Sequence, residues 1–146
     1  MVSAVRYHPA TFSEFFAPLD EKFAGLSSKL AEDFKLYMDS QRGIVPDYFG
    51  RDAPYLQPQE ADQAKLSHIH IKLPPGRFSA GVAQYFRVCG KGRPLEDAAL
   101  VYTRGWLEEE SFLLLAFLWP DAHSAARDKA LMRYLSRLAK DWRDKN

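Results

Sequence analysis

Three of the four histidines stand where chemistry could use them. His68-Ile-His70 lies in an alternating stretch, and His123 sits in Pro120-Asp-Ala-His-Ser-Ala-Ala-Arg127-Asp128. Histidine alone titrates near neutral pH without help, which makes it a natural general acid or base. Arginine grips oxyanions through two parallel hydrogen bonds and offsets charge that develops in a transition state. Arg127 follows His123 by four residues, so the two share one face of a helix there. Arg51 and Asp52, in Pro46-Asp-Tyr-Phe-Gly-Arg-Asp52, add a second arginine beside a carboxylate. Quieter roles fit the same residues. His68 and His70 suit an exposed strand face, and His123 suits a helix cap. Asp128 suits a helix dipole or a pair with Arg51, and Arg51 and Asp52 suit the tying-down of a loop. Zinc on His68, His70, His123 and Asp52 is a further option, but no cysteine pair or tight ligand spacing supports it. The chain is therefore read with no metal and no cofactor.

The elements that must position these residues follow from hydrophobic pattern. Phe112 to Trp119 is the most apolar run, too short for a membrane span and suited to a buried central strand. Leu100 to Arg104 pairs with it as a hairpin across Gly105–Glu110. Pro120 ends the strand, and Asp121 caps the next helix. Leu66 to Leu73 alternates, with Ile69, Ile71 and Leu73 on one face and His68, His70 and Lys72 on the other. Val82 to Cys89 reads as a further strand, and Gly90 to Pro94 as a basic turn.

Thr11-Phe-Ser-Glu14 fits a capping box, and apolar residues from Phe12 to Tyr37 recur at helical spacing. Pro18 then divides a short helix from a long one over about 20–40, and Gly43 stops it. Residues 44–65 read as a long irregular loop pinned by Tyr48 and Phe49. The last helix runs over about 122–143, with Leu131, Leu135, Leu138 and Trp142 facing the core. The expectation is one α+β domain over 1–146. It has N-terminal helices (1–43), an antiparallel sheet of about four strands (66–119), and a C-terminal helix (121–143). With the helices on one side, the other sheet face is expected to be open to water or a ligand.

Composition agrees with a globular chain: 146 residues, 47% apolar, 27% charged and a net charge of +1. The opening residues carry no apolar run of the signal-peptide kind, and the single Cys89 excludes an internal disulfide framework. Both point to the cytoplasm and away from membranes. Cys89 itself reads as a partly buried side chain with no motif around it. Residues 65–104 hold seven Lys/Arg against two Asp/Glu, and residues 123–146 hold seven against three. Two basic segments thus flank an acidic turn. Brought together they suit a polyanion; apart they are solvated helix and loop charges.

Four blocks occur in one order: Phe49-Gly-Arg-Asp52, His68-Ile-His70, Leu100-Val-Tyr102, and Leu114 through Asp128. In them the chain resembles the YafO family, toxins of bacterial type II toxin–antitoxin modules. The likeness spans about 30–142 and leaves 1–28 largely outside. The segment 87–97 is longer than the family pattern suggests. The strand order is also similar to the wider RelE-like architecture. The resemblance implies an endoribonuclease that cuts mRNA on the ribosome without a metal, inhibits translation, and pairs with a cognate antitoxin. Its partners would be that antitoxin, the ribosome and mRNA. Its alternative is a non-catalytic RNA- or protein-binding domain of the same fold.

RNA cleavage by the ribose 2′-OH needs a base, cations for the phosphate, and an acid for the leaving oxygen. On that reading His70 and His123 form the acid/base pair, with His68, Arg127 and Arg51 as further catalytic candidates. Lys72, Arg87, Arg104 and Tyr102 would hold RNA, and Asp52 and Asp128 would support the site.

Overall fold

The computed structural model describes residues 2–90 and 92–146. Its centre is a five-stranded sheet in the order β1-β5-β4-β3-β2. The strands are β1 (Ala4–Tyr7), β2 (Phe49–Pro54), β3 (Ser67–Ile71), β4 (Ala99–Arg104) and β5 (Ser111–Leu118). All neighbours are antiparallel except β1, which runs parallel to β5. The α+β class and the β4–β5 hairpin stand as expected.

Every residue from Phe112 to Leu118 is buried. A strand apolar at each position needs cover on both sides, and helices pack on both sheet faces instead of the one expected. On one side pack α1 (Pro9–Thr11), a wide helical turn (Phe12–Phe16), α2 (Ala17–Lys22) and α3 (Leu26–Asp39). There Phe16, Leu30 and Phe34 meet Phe49, Ile69, Ile71, Leu100 and Phe112. On the other side lie α4 (Gln59–Gln63), α5 (Ala122–Ala126) and α6 (Lys129–Arg143). There Met132, Leu135 and Ala139 meet Val101, Leu113 and Leu115. Each of these large apolar side chains contributes roughly 1.5–3 kcal/mol on burial. A register shift between Val101 and Tyr102 turns both Leu115 and Ala116 to the second side, after which alternation resumes.

Several boundaries differ from the sequence reading. His8, not Thr11, caps the first helix: its Nδ1 accepts the Ala10 N–H at 3.0 Å. The main break comes at Phe23 to Gly25, where Gly25 adopts φ +76° ahead of α3. Helix α3 ends at Asp39, because Gln41 and Arg42 take left-handed backbone before Gly43 is reached. The 44–65 segment is not all loop: it holds edge strand β2 and helix α4. Val82 to Cys89 is no strand; it is a loop with one short turn, Gln84–Phe86, that meets the β2 edge where the Arg51 N–H donates to the Arg87 carbonyl. The last helix is two. Asp121 caps α5 through the Ser124 N–H, and Asp128 caps α6 through the Leu131 N–H. The break rotates the helix, so Met132, Leu135, Ser136 and Ala139 are buried while Leu131, Leu138 and Trp142 are half-buried. Among the described residues no helix is long and apolar enough to cross a membrane.

Candidate active site

Strand β3 positions the first two histidines. Alternation sends Ile69 and Ile71 into the α1–α3 side and turns His68 and His70 toward α5. Helix α5 brings the third. The rings of His68 and His70 lie 5.6 Å apart, as do those of His70 and His123. They line a pocket of about 280 Å³ with Tyr55, Asp97 and Arg127. The fold brings His68, His70, His123 and Arg127 to this one pocket.

The three imidazoles are not equivalent. The main-chain N–H of Cys89 donates to His70 Nδ1 at 3.0 Å. That lone pair is taken, so neutral His70 carries its proton on Nε2. Burial, then the nearby His123 charge, pushes its pKa down to about 4. His68 lies flat against Tyr55, ring centres 4.0 Å apart, and its Nδ1 is buried without a partner. Burial, then the neighbouring His70 charge, lowers its pKa to about 4 as well. Both rings are neutral at pH 7. They can donate a hydrogen bond but do not readily exchange a proton there.

His123 differs. Its Nδ1 sits 2.7 Å from Asp97 Oδ2, and its own main-chain N–H donates to the same oxygen at 2.9 Å. A carboxylate only accepts, so Nδ1 carries the proton and Nε2 keeps a lone pair. The ring retains 26% exposure while Asp97 retains 2%. An imidazole held by a buried carboxylate is the arrangement that fixes a tautomer and stabilises an imidazolium when one forms. Among the described residues Asp97 Oδ1 is buried with no partner, and Oδ2 carries both contacts to His123.

Asp97 is the residue the sequence reading missed. It stands two residues before β4, with Ala98 between, and no motif marks it. Its role arises only when the chain before β4 packs against α5. The one available sign is an acidic residue at the start of a buried strand.

The remaining candidates divide. Asp128 caps α6 and makes no pair with Arg51. The register shift between Phe49 and Asp52 sets Gly50 and Arg51 opposite His70 alone. Arg51 lies over the Tyr85 ring at 4.2 Å and donates to the Tyr85 carbonyl at 2.7 Å, yet its charge still acts on His70. Asp52 faces the α3 side. It accepts from Tyr37 (2.7 Å), Arg42 (3.0 Å) and Tyr102 (2.6 Å). Tyr102 is therefore a buried anchor, and burial with the Asp52 charge raises its pKa. Arg87 holds its own loop by donating to the carbonyls of Val82 and Phe49. Lys72 lies over Phe78, and Arg104 over Phe112, both on clefts other than the histidine pocket. Cys89 is buried, its Sγ directed at the carbonyls of Ile71 and Ala98 and its pKa raised by burial. Among the described residues, no three His, Cys, Asp or Glu side chains are grouped to hold a metal ion.

Comparison with known proteins places this geometry in context. The family model described as "Toxin YafO, type II toxin-antitoxin system" matches residues 32–144. The mRNA interferase toxin YafO of Escherichia coli (strain K12) is 32% identical over 117 residues, covering 78% of this chain and 83% of that protein. No solved structure matches.

Proposed function

The chain belongs to the YafO toxin family of type II toxin–antitoxin systems, and from that premise we propose that it cuts mRNA on the ribosome with His123 as general base. It is the toxin of its module, and an antitoxin is its partner. Its relative is named an mRNA interferase, and the same activity is assigned here. The observation that carries the reading is the 2.7 Å Asp97–His123 hydrogen bond beside His70, whose Nδ1 accepts from the Cys89 N–H.

In this mechanism His123 Nε2 takes the proton of a ribose 2′-OH. The freed oxygen bonds to the adjacent phosphorus. His70 Nε2–H donates to a phosphate oxygen, as a neutral histidine can. Arg127, and Arg51 across β2, offset the extra negative charge. The P–O5′ bond then breaks. The imidazolium of His123 returns its proton through solvent to the departing oxygen, leaving a 2′,3′-cyclic phosphate and a 5′-hydroxyl. No step requires a metal. The expected pairing of His70 with His123 as acid and base becomes a base and a hydrogen-bond donor. His68 braces His70 from behind. The ribosome orders the substrate, and phosphate contacts make binding salt-sensitive. The reaction is expected in the cytoplasm, where ribosomes are.

Primer extension on a defined mRNA in a purified translation reaction tests the reading. The comparison is wild type against His123→Ala, with and without ribosomes. New ends that need both ribosomes and His123 support it. Equal cutting by folded His123→Ala overturns the base assignment. No cutting by folded wild type favours the non-catalytic binding alternative.

A further inference from the structure

On the far side of edge strand β2 from the histidine pocket lies a second recess, of about 350 Å³, within the size range of small-ligand sites. Ser67, Gln84, Arg42, Asp52 and Arg51 line it, with Tyr85 beside them. The loop that carries Tyr85 is fixed. Arg51 N–H donates to the Arg87 carbonyl at 2.7 Å, and Gln84 Nε2 donates to both Gly50 O (3.0 Å) and the Tyr37 hydroxyl (2.9 Å). Both amide hydrogens of Gln84 are thereby engaged, and its Oε1 remains as an acceptor. Gly50 permits the close approach: a Cβ there would clash with the Arg87 carbonyl oxygen.

On this fixed loop two aromatic side chains stay in solvent. Tyr85 is 64% exposed and Phe86 68% exposed, their rings perpendicular with centres 5.2 Å apart. The Arg51 guanidinium covers one face of Tyr85. Exposed rings on a fastened loop are costly to leave bare, and a corner of two rings backed by arginine is what a nucleobase stacks into. Position agrees. Arg51 borders this recess, and its charge also reaches His70. A strand of RNA with its phosphate at the histidines can therefore pass the β2 edge and place a nearby base here.

We propose that the recess beside Tyr85 binds a nucleobase of the mRNA near the scissile phosphate, stacked on Tyr85 and read at its edge by Gln84 Oε1 and Ser67. The proposal rests on the interferase reading and deepens it. Two measurements separate the two claims. The first is primer extension with wild type, Tyr85→Ala and Tyr85→Phe. Stacking is expected to show as a roughly ten-fold loss in Tyr85→Ala, carried by KM, with cut sites redistributed among codons and Tyr85→Phe near wild type. The second reads binding without cleavage, as quenching of 2-aminopurine placed in an mRNA on programmed ribosomes. His123→Ala is expected to quench it, and His123→Ala/Tyr85→Ala is not. Equal rates and cut patterns in wild type and Tyr85→Ala overturn the site. So does a Tyr85→Ala that loses only antitoxin binding, which would make the corner a protein contact. If wild type cuts nothing, the interferase reading fails; Tyr85-dependent quenching would still support the base site, and its absence would overturn that too.

Discussion

Asp97→Asn changes one oxygen to an amide and leaves shape intact. The main-chain N–H and the Nδ1–H of His123 both point at Oδ2. The asparagine must therefore present its carbonyl there, and its NH₂ falls where Oδ1 is now buried without a partner. Two consequences follow. First, an orphaned NH₂ replaces an orphaned oxygen, and the main-chain N–H of His123 exchanges a charged acceptor for a neutral one, which costs about 1–1.5 kcal/mol of stability. For a chain of this size that lowers Tm by several degrees, with folding retained. Second, the hydrogen bond to the ring survives but loses its charge. A bond to a charged partner contributes about 1.5–3 kcal/mol and a neutral one about 0.5–1.5, so the imidazolium loses roughly 1–1.5 kcal/mol. That is about a ten-fold fall in cleavage rate. Asp97→Ala also frees the ring to turn, and the loss should grow toward the roughly 10²–10⁴-fold range of a missing base. Single-turnover cleavage on programmed ribosomes, beside thermal melts, measures both. Asp97→Asn that melts lower yet cuts at the wild-type rate refutes the dyad. A large loss in Asp97→Asn with none in His123→Ala shows that Asp97 acts on the fold instead.

Stability should fall with acid in a defined window. The pKa of His68 and of His70 is about 4 in the folded protein, against 6.5 for a free histidine. The unfolded chain therefore binds more protons between those values, and stability is full above about pH 6.5 and lost progressively down to about 4. The ceiling is roughly 3 kcal/mol for each ring; urea midpoints at pH 7 and 4.5 should differ accordingly, with a smaller difference in His68→Gln. Gly50→Ala drives a methyl into the Arg87 carbonyl and forces the Gln84–Arg87 loop off β2. A loss of about 1–3 kcal/mol is expected, together with faster amide exchange at Arg51; an unchanged melt would show the loop yields freely. Asp128→Ala removes a cap worth about 1 kcal/mol and should lower Tm while cleavage stays normal, since this carboxylate serves α6 and not the pocket.

The alternation in β3 is enough by itself to place His68 and His70 together, because one buried face dictates where the other points. The Pro120–Asp121 signal places His123 at a helix start for the same local reason. What the letters alone do not disclose is held by contacts between distant segments. Strand β1 is four residues that pair in parallel with β5, over a hundred positions away, and nothing local marks it. Strand β2 carries Gly50, Arg51, Asp52 and Pro54, and its bulge spoils the alternation that would have revealed it. The 122–143 stretch reads as one helix because Asp128 is compatible with a helix interior as well as with a cap. Asp97 becomes meaningful only once α5 is laid against it.

The bond from Cys89 N–H to His70 Nδ1 comes from the backbone, not from a side chain. Apart from proline, which has no N–H, point substitution at residue 89 cannot delete it. A saturation library at that position should tolerate any small residue that fits beside Ile71 and Ala98. Deleting or inserting one residue within 87–90 should silence the toxin, because the peptide group itself would move out of reach. Loss of toxicity in this loop is thus expected to come through changes in length more than through changes in letter.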